Sequence, residues 1–175
     1  MPAAPRDWSD PFLEQAKEDL SAAYALQATS PSTFCVLLQM VFEKIGKAAF
    51  AGSGQVVPHD HEVATRFFAM LLRFPNGKRL LTSNGNAEAF IRQLELAQPS
   101  VAKRNSLPEQ LEYPWEDAAG IIRTPCCDLG LARRISNPRD RIAADCLRFA
   151  SSLIKEIPVI IPLFSKSFWQ FSYTV

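Results

Sequence analysis

The stretch PSTFCVLLQMVFEKIGKAAF, from Pro31 to Phe50, decides the fold of this chain. Its apolar residues recur at spacings of three and four, which is the period of one face of an α-helix and not the alternation of a strand. Further apolar residues widen this face, so that only four longer polar side chains interrupt it: Gln39, Glu43, Lys44 and Lys47. A helix this apolar must be covered on several sides. We therefore predict the central helix of a bundle at about residues 32–51.

Helical periodicity continues on both sides of this stretch. Ser9-Asp10-Pro11 is typical of a helix start, and the helix that it opens should reach about Gln27. Glycines at residues 52–54 should close the central helix. Further helices are predicted at about residues 59–74, 87–97 and 137–157, with a short restart at Pro99 that reaches about residue 104. The segment KRLLTS at 78–83 lies between two Asn-Gly pairs and is predicted to be a loop, with a hairpin as the alternative.

These elements predict an all-α fold, an up-and-down bundle of about five helices in a single domain at residues 1–157. Residues 105–137 show no periodicity and are predicted to form a long irregular loop between the fourth and last helices. Residues 158–175 are apolar, without a helical period. This tail is expected to pack on the bundle or in a dimer interface.

Composition narrows the function classes. The 175 residues carry a formal net charge of +1, so no global field recruits nucleic acid or an anionic membrane, and any basic surface must be local. The four cysteines do not resemble a disulfide framework, and no signal peptide precedes the domain. The apolar run near the C-terminus is too short and proline-broken to span a bilayer. We expect a reduced, cytoplasmic protein with no membrane partner.

A family resemblance follows from the polar residues of the central helix. Gln39, Glu43, Lys44, Lys47 and Ala48 follow the order Q-x-x-x-E-K-x-x-K-A, which resembles the signature helix of HEPN domains. In the preceding helix, Ala16, Asp19, Leu20 and Ala23 are similar to that family's A-x-x-D-L-x-x-A. Pro58 and the His61-Glu62-Val63 triplet are similar to its P…H-D-L. The resemblance covers residues 8–74 and implies a five-helix bundle associated with nucleotides or RNA, in toxin–antitoxin or defence systems.

The chain departs from that family where catalysis is concerned. Ribonuclease members carry an arginine followed four to six residues later by a histidine, near the start of the last bundle helix. The two histidines here are His59 and His61, and neither follows an arginine at that spacing. A related branch carries Arg-Tyr-Pro after its fourth helix, where this chain has Glu112-Tyr113-Pro114. The resemblance therefore implies a protein that is not a ribonuclease, and we assign no catalytic residue.

Candidate binding residues lie near the third helix. His59-Asp60-His61 could supply metal ligands or an acid–base pair, but zinc needs further ligands and no C-x-x-C pair exists. We favour a helix cap for this triplet, and we expect no metal and no cofactor. His61, Arg66 and Arg73 are the candidate ligand-binding residues here. Two basic edges could contact phosphate, or could simply be solvated: Arg66, Arg73, Lys78 and Arg79, and Arg133, Arg134, Arg139 and Arg141.

The acidic, aromatic segment EYPWED at 112–117 supplies two further candidates, Tyr113 and Trp115. Large amphipathic rings flanked by acids occur in recognition loops. The alternative, which we favour, has Trp115 anchoring the loop on the bundle while the acids face water. The adjacent Cys126 and Cys127 are poorly spaced for chelation, so buried or idle thiols are expected.

Three functions remain open. The leading one is a non-catalytic HEPN-like module that binds a nucleotide, RNA or a protein partner, such as the small nucleotidyltransferase that the resemblance implies. The second is a HEPN-type ribonuclease with a displaced site, using His61 with Arg66 or Arg73. The third is a purely structural homodimer. A homodimer is expected in any case, because the tail carries many apolar side chains and only Lys166 is charged.

Overall fold

The computed structural model describes residues 8–104 and 109–170, with side chains at 8–103 and 109–162. These ranges contain nine α-helices and one two-stranded hairpin. The helices are α1 (Ser9–Leu26), α2 (Pro31–Gly52), α3 (Val63–Leu71), α4 (Pro75–Ser83), α5 (Gly85–Leu96), α6 (Pro99–Arg104), α7 (Pro125–Asp128), α8 (Gly130–Ser136) and α9 (Ile142–Gln170). The strands are β1 (Trp115–Glu116) and β2 (Ile122–Arg123). The all-α class is confirmed.

Helix α2 is the centre of the core, as predicted. It packs against α1, α3, α5, α7, α8 and α9. Four of its large side chains are wholly shielded from solvent: Phe34, Leu38, Phe42 and Ile45. Neighbouring helices therefore bury the wide apolar face of α2 on several sides. Among the described residues, no helix is both long enough and apolar enough to cross a bilayer.

Glycine ends α2 as predicted, and the glycine that caps the helix is Gly54. Gly54 takes a left-handed backbone conformation, with φ of 72°. Its amide donates to the carbonyl of Ala51 at 3.0 Å, and the amide of Gln55 donates to the carbonyl of Phe50 at 2.9 Å. This pair of bonds is a Schellman motif, which satisfies the last carbonyls of a helix. Gly52 remains within the helix.

The segment at 78–83 is neither a loop nor a hairpin, because it lies in α4. Pro75 opens this helix at its first turn, where a missing amide costs nothing. Gly77 allows the close approach to α3: a Cβ at this position would lie 2.3 Å from the carbonyl oxygen of Leu71. Leu81 then points into the core. Tertiary packing therefore overrides the turn signal of the two Asn-Gly pairs.

The predicted irregular loop at 105–137 is only partly irregular. Outside 105–108, which are not described, it holds β1, β2, α7 and α8. The two strands pair antiparallel, with Trp115 opposite Arg123. Helix α8 buries Ala132 and Ile135. These elements are too short to show a period in the sequence, so the prediction missed them.

The last helix differs from its prediction at both ends. It begins at Ile142, whose amide donates to the Asp140 carboxylate at 3.0 Å, and not at Asn137. It continues through Pro158 and Pro162 to Gln170, so the expected stop before residue 158 is wrong. Buried Ile157 and Ile160 hold this part of the helix on the bundle. Residues 171–175 and the side chains of 163–170, which include most of the aromatic tail, lie outside the described part.

Candidate functional site

Glu43 is the centre of a polar cluster at the junction of α2 and α3. It is 9% exposed and accepts hydrogen bonds from three side chains. Gln39 Nε2 lies 3.1 Å away, Lys47 Nζ lies 2.7 Å away, and His61 Nδ1 lies 2.8 Å away. The first two are one turn before and one turn after Glu43 on α2, as the helical spacing predicts. His61 comes from the segment before α3, so its contact with Glu43 depends on the tertiary structure.

The charge state of this cluster follows from its contacts. Burial would raise the pKa of Glu43, but the hydrogen bonds from Lys47, His61 and Gln39 outweigh it and hold the pKa below its ordinary value. An ionised carboxylate only accepts hydrogen bonds, so His61 must carry its proton on Nδ1. The His61 side chain is 42% exposed. Its Nε2 is then the atom left for proton transfer or ligand contact.

A second polar pair joins α1 to α2. Lys44 Nζ lies 2.5 Å from Asp19 Oδ2, and Gln15 donates to the same carboxylate at 3.1 Å. Both partners of the ion pair are mostly shielded, at 18% and 10% exposure. The charged residues on which the HEPN resemblance rests are thus paired within the fold. Each of these charges has a structural role that does not need a ligand.

The favoured helix cap at His59-Asp60-His61 is wrong, because no side chain of this triplet accepts an amide of α3; Asp60 holds only the residue before the helix. Its carboxylate accepts the amide of Glu62 at 3.2 Å and pairs with Arg66 at 2.7 Å. The first amides of α3 itself are capped from elsewhere. His59 is exposed. In this arrangement Arg66 is held by a carboxylate, which weakens it as a phosphate ligand.

The actual cap of α3 is Glu95, which sequence analysis missed. This residue lies on α5 and is 2% exposed. Its two carboxylate oxygens accept the amides of Ala64 at 2.7 Å and Thr65 at 3.0 Å. Burial raises its pKa, despite these hydrogen bonds. A glutamate on the apolar face of a predicted helix was the available signal, because such a carboxylate needs partners.

Arg73 lies at the corner between α3 and α4, together with Lys78 and Arg79. All three are exposed, and none has a carboxylate within ion-pair distance among the described side chains. Arg79 lines a cavity of about 150 Å³ between α4 and α9, as do Ser83 and Glu156. We name Arg73, Lys78 and Arg79 the basic corner. The second basic edge is partly neutralised, since Arg134 pairs with Asp140 at 3.2 Å.

The two aromatic candidates have opposite environments. Trp115 is 7% exposed and belongs to the core, whereas Tyr113 is 58% exposed. The interpretation of Trp115 as an anchor is therefore confirmed, and its ring is not available to a ligand. The turn after it is held by Asp117, whose carboxylate pairs with Arg123 at 2.7 Å. No described hydrogen bond, ion pair or ring contact joins Tyr113 to His61.

The cysteines fall into two classes. Cys35 and Cys146 are buried, and burial raises the pKa of Cys35 to about 12. Cys126 and Cys127 are both exposed, so of the two expected alternatives, buried or idle thiols, the structure excludes burial. Within the described ranges, no group of three or more His, Cys, Asp or Glu side chains is placed to hold a metal ion.

Comparison with protein-family models, with curated proteins and with solved structures finds no match to this chain. The HEPN resemblance therefore rests on the residues of α1, α2 and the start of α3 alone.

Proposed function

We propose that this chain is a non-catalytic HEPN-like module that binds the phosphates of RNA or of a nucleotide at the basic corner. The observation that carries the proposal is the absence of a carboxylate partner for Arg73, Lys78 and Arg79 among the described residues. Arg66, by contrast, is paired with Asp60, and on the second basic edge Arg134 is paired with Asp140. Arg133, Arg139 and Arg141 of that second edge are exposed and likewise have no ion pair with a described carboxylate. Exposed cations without a local counterion attract phosphate and release its condensed counterions on binding.

The cavity beside the corner limits where the phosphate would lie. Glu156 lines this cavity together with Arg79. A carboxylate repels phosphate at short range, so the cavity interior is unfavourable. The phosphate contact would then fall at the outer side of the corner, on Arg73 and Lys78. Such contacts give affinity without sequence preference.

Fluorescence anisotropy with a labelled single-stranded RNA of mixed sequence tests this proposal, measured over a series of salt concentrations. The triple variant Arg73→Gln, Lys78→Gln, Arg79→Gln should bind more weakly. Its log–log salt slope should be shallower by about 1.4, because Arg73 and Lys78 supply two phosphate contacts and each single-strand contact contributes about 0.7. The matched control removes three exposed cations elsewhere, at Lys17, Arg148 and Lys155.

Two outcomes contradict the proposal. One is equal loss in both triple variants, which would show a diffuse field and no site. The other is wild-type protein that binds neither RNA nor a nucleotide such as ATP. Binding of a protein partner would then be the leading function, and co-expression with a small nucleotidyltransferase would test it directly.

A displaced ribonuclease site is the second candidate, because one observation favours it. Glu43 is buried and fixes Nδ1 of the partly exposed His61 at 2.8 Å, which leaves Nε2 for acid–base work. Arg66 is the nearest candidate in sequence for phosphate binding, but Asp60 holds it. We expect purified protein to leave total RNA intact. Cleavage that is abolished by His61→Ala and reduced by Glu43→Gln would establish the ribonuclease instead.

A homodimer stays a prediction. In the described part of the predicted tail, Ile160 is buried against its own bundle, whereas Val159 is 66% exposed. A Cβ at Gly52 would lie 2.6 Å from Ile161 Cδ1, so the first turn of this tail covers the end of α2. The remaining apolar side chains could still supply an interface. Light scattering of the full chain at high micromolar concentration measures the state directly.

A further inference from the structure

Cys126 and Cys127 form an exposed pair of neighbouring thiols on α7. Their sulfur atoms lie 3.6 Å apart. The hydroxyl oxygen of Thr124 lies 3.4 Å from the sulfur of Cys126. No residue of α7 is buried, so a molecule from solvent can reach either sulfur. Two accessible sulfurs at this separation can react in sequence with one reagent.

The hydrogen bonds around Cys126 favour its thiolate form. Hydrogen bonds from the Thr124 hydroxyl and the Cys127 thiol lower the pKa of Cys126, although the Asp128 carboxylate acts in the opposite direction. The thiolate is the reactive form of cysteine, and a lower pKa populates it at neutral pH. By contrast, burial raises the pKa of Cys35 and Cys146, which leaves them protonated and inaccessible.

We propose that Cys126 and Cys127 are a redox modification site, in which Cys126 attacks a small-molecule disulfide such as oxidised glutathione and Cys127 resolves the adduct. In the first step, the Cys126 thiolate attacks one sulfur of the reagent. The reagent's S–S bond breaks, and one glutathione thiolate leaves and takes a proton from water. In the second step, the Cys127 thiolate, having lost its proton to water, attacks Cys126 Sγ and releases the second glutathione. The two cysteines lose two electrons, which the reagent gains.

The local structure can accommodate the product. The bond between adjacent cysteines closes a small ring that contains their connecting peptide, so the backbone of α7 must shift. That helix is a single turn, held to Thr124 by the amides of Cys127 at 3.2 Å and Asp128 at 2.8 Å. Asp128 is further held by hydrogen bonds from the Thr124 amide at 2.9 Å and from Arg133 at 2.7 Å, and α7 contacts α2. No side chain of α7 is buried, so the adjustment displaces no core side chain of this helix.

Intact-protein mass spectrometry of the full chain, treated with oxidised glutathione at neutral pH, tests the proposal. Wild type should lose the mass of two hydrogens, and peptide mapping should place the bond between residues 126 and 127. Cys127→Ser should instead gain one glutathione at Cys126, because nothing resolves the adduct. The double variant Cys126→Ser, Cys127→Ser should gain none. Both substitutions replace exposed side chains, and circular dichroism verifies that each variant folds.

Several results would overturn the proposal. A wild-type chain that keeps one or two glutathiones would show thiols that act independently. A disulfide-linked dimer on a non-reducing gel would show pairing between chains. Modification of Cys35 or Cys146 at a comparable rate, or no reaction at all, would remove the special reactivity of the pair.

Discussion

Three phenylalanine rings from three helices meet in the middle of the core, and they allow a sharp test of the fold. Phe42 comes from α2, Phe68 from α3 and Phe149 from α9. The ring centroid of Phe42 lies 6.0 Å from that of Phe68 and 5.4 Å from that of Phe149, and the last two are 5.8 Å apart. All three side chains are wholly buried. Phe42→Ala therefore removes the ring that links the central helix to the two others.

The expected cost follows from these contacts. Truncating a buried phenylalanine to alanine destabilises a protein by about 3–5 kcal/mol. Two of the three ring pairs are lost, and each such pair contributes about 0.5–1.5 kcal/mol beyond its burial. The helices on both sides of Phe42 hinder collapse into the cavity that its removal would leave. We therefore expect a cost in the upper half of the range of about 3–5 kcal/mol. A domain with about 5–15 kcal/mol of total stability would lose a large fraction of it.

Urea unfolding followed by circular dichroism at the helical band measures this cost. Tyr24→Ala on α1 is the matched control, since it removes a ring that is 52% exposed and also leaves alanine in a helix. The control should stay within about 0.5 kcal/mol of wild type. A Phe42→Ala variant whose unfolding free energy lies within about 1 kcal/mol of wild type would refute the central position of Phe42, because truncating a buried phenylalanine costs more than that.

Two further predictions concern buried carboxylates. The pKa of Glu43 is lowered from 4.5, so its stabilisation is present above that value and is lost as pH falls through the folded-state pKa. On acidification, the unfolding free energy of Glu43→Gln should therefore fall less than that of wild type. Equal falls in unfolding free energy for the two proteins over this pH range would contradict the prediction. The pKa of Glu95 is raised, so stability linked to its protonation is lost as pH rises through the folded-state pKa. Glu95→Gln should make stability depend less on pH in this range. At neutral pH this variant should be about 1 kcal/mol more stable than Glu95→Ala, because glutamine keeps an acceptor for the α3 amides. Urea titrations at several pH values measure the effects at both Glu43 and Glu95.

The sequence by itself determined the all-α class and the position of the first two helices. Periodic apolar residues specify a helix locally, and α1 and α2 lie within one or two residues of their predicted bounds. The restart at Pro99 was predictable for the same local reason. The Glu43–Lys47 pair also follows from spacing, because residues four apart share a helix face.

Only the tertiary structure decided the rest. Burial of Leu81 makes a helix out of a segment with turn signals, and buried Ile157 and Ile160 carry α9 past a proline that should have ended it. Glu95 reaches α3 from 30 residues away, and His61 reaches Glu43 from 18. Such contacts have no local pattern, because their energy comes from satisfying buried polar groups that only the assembled helices bring together.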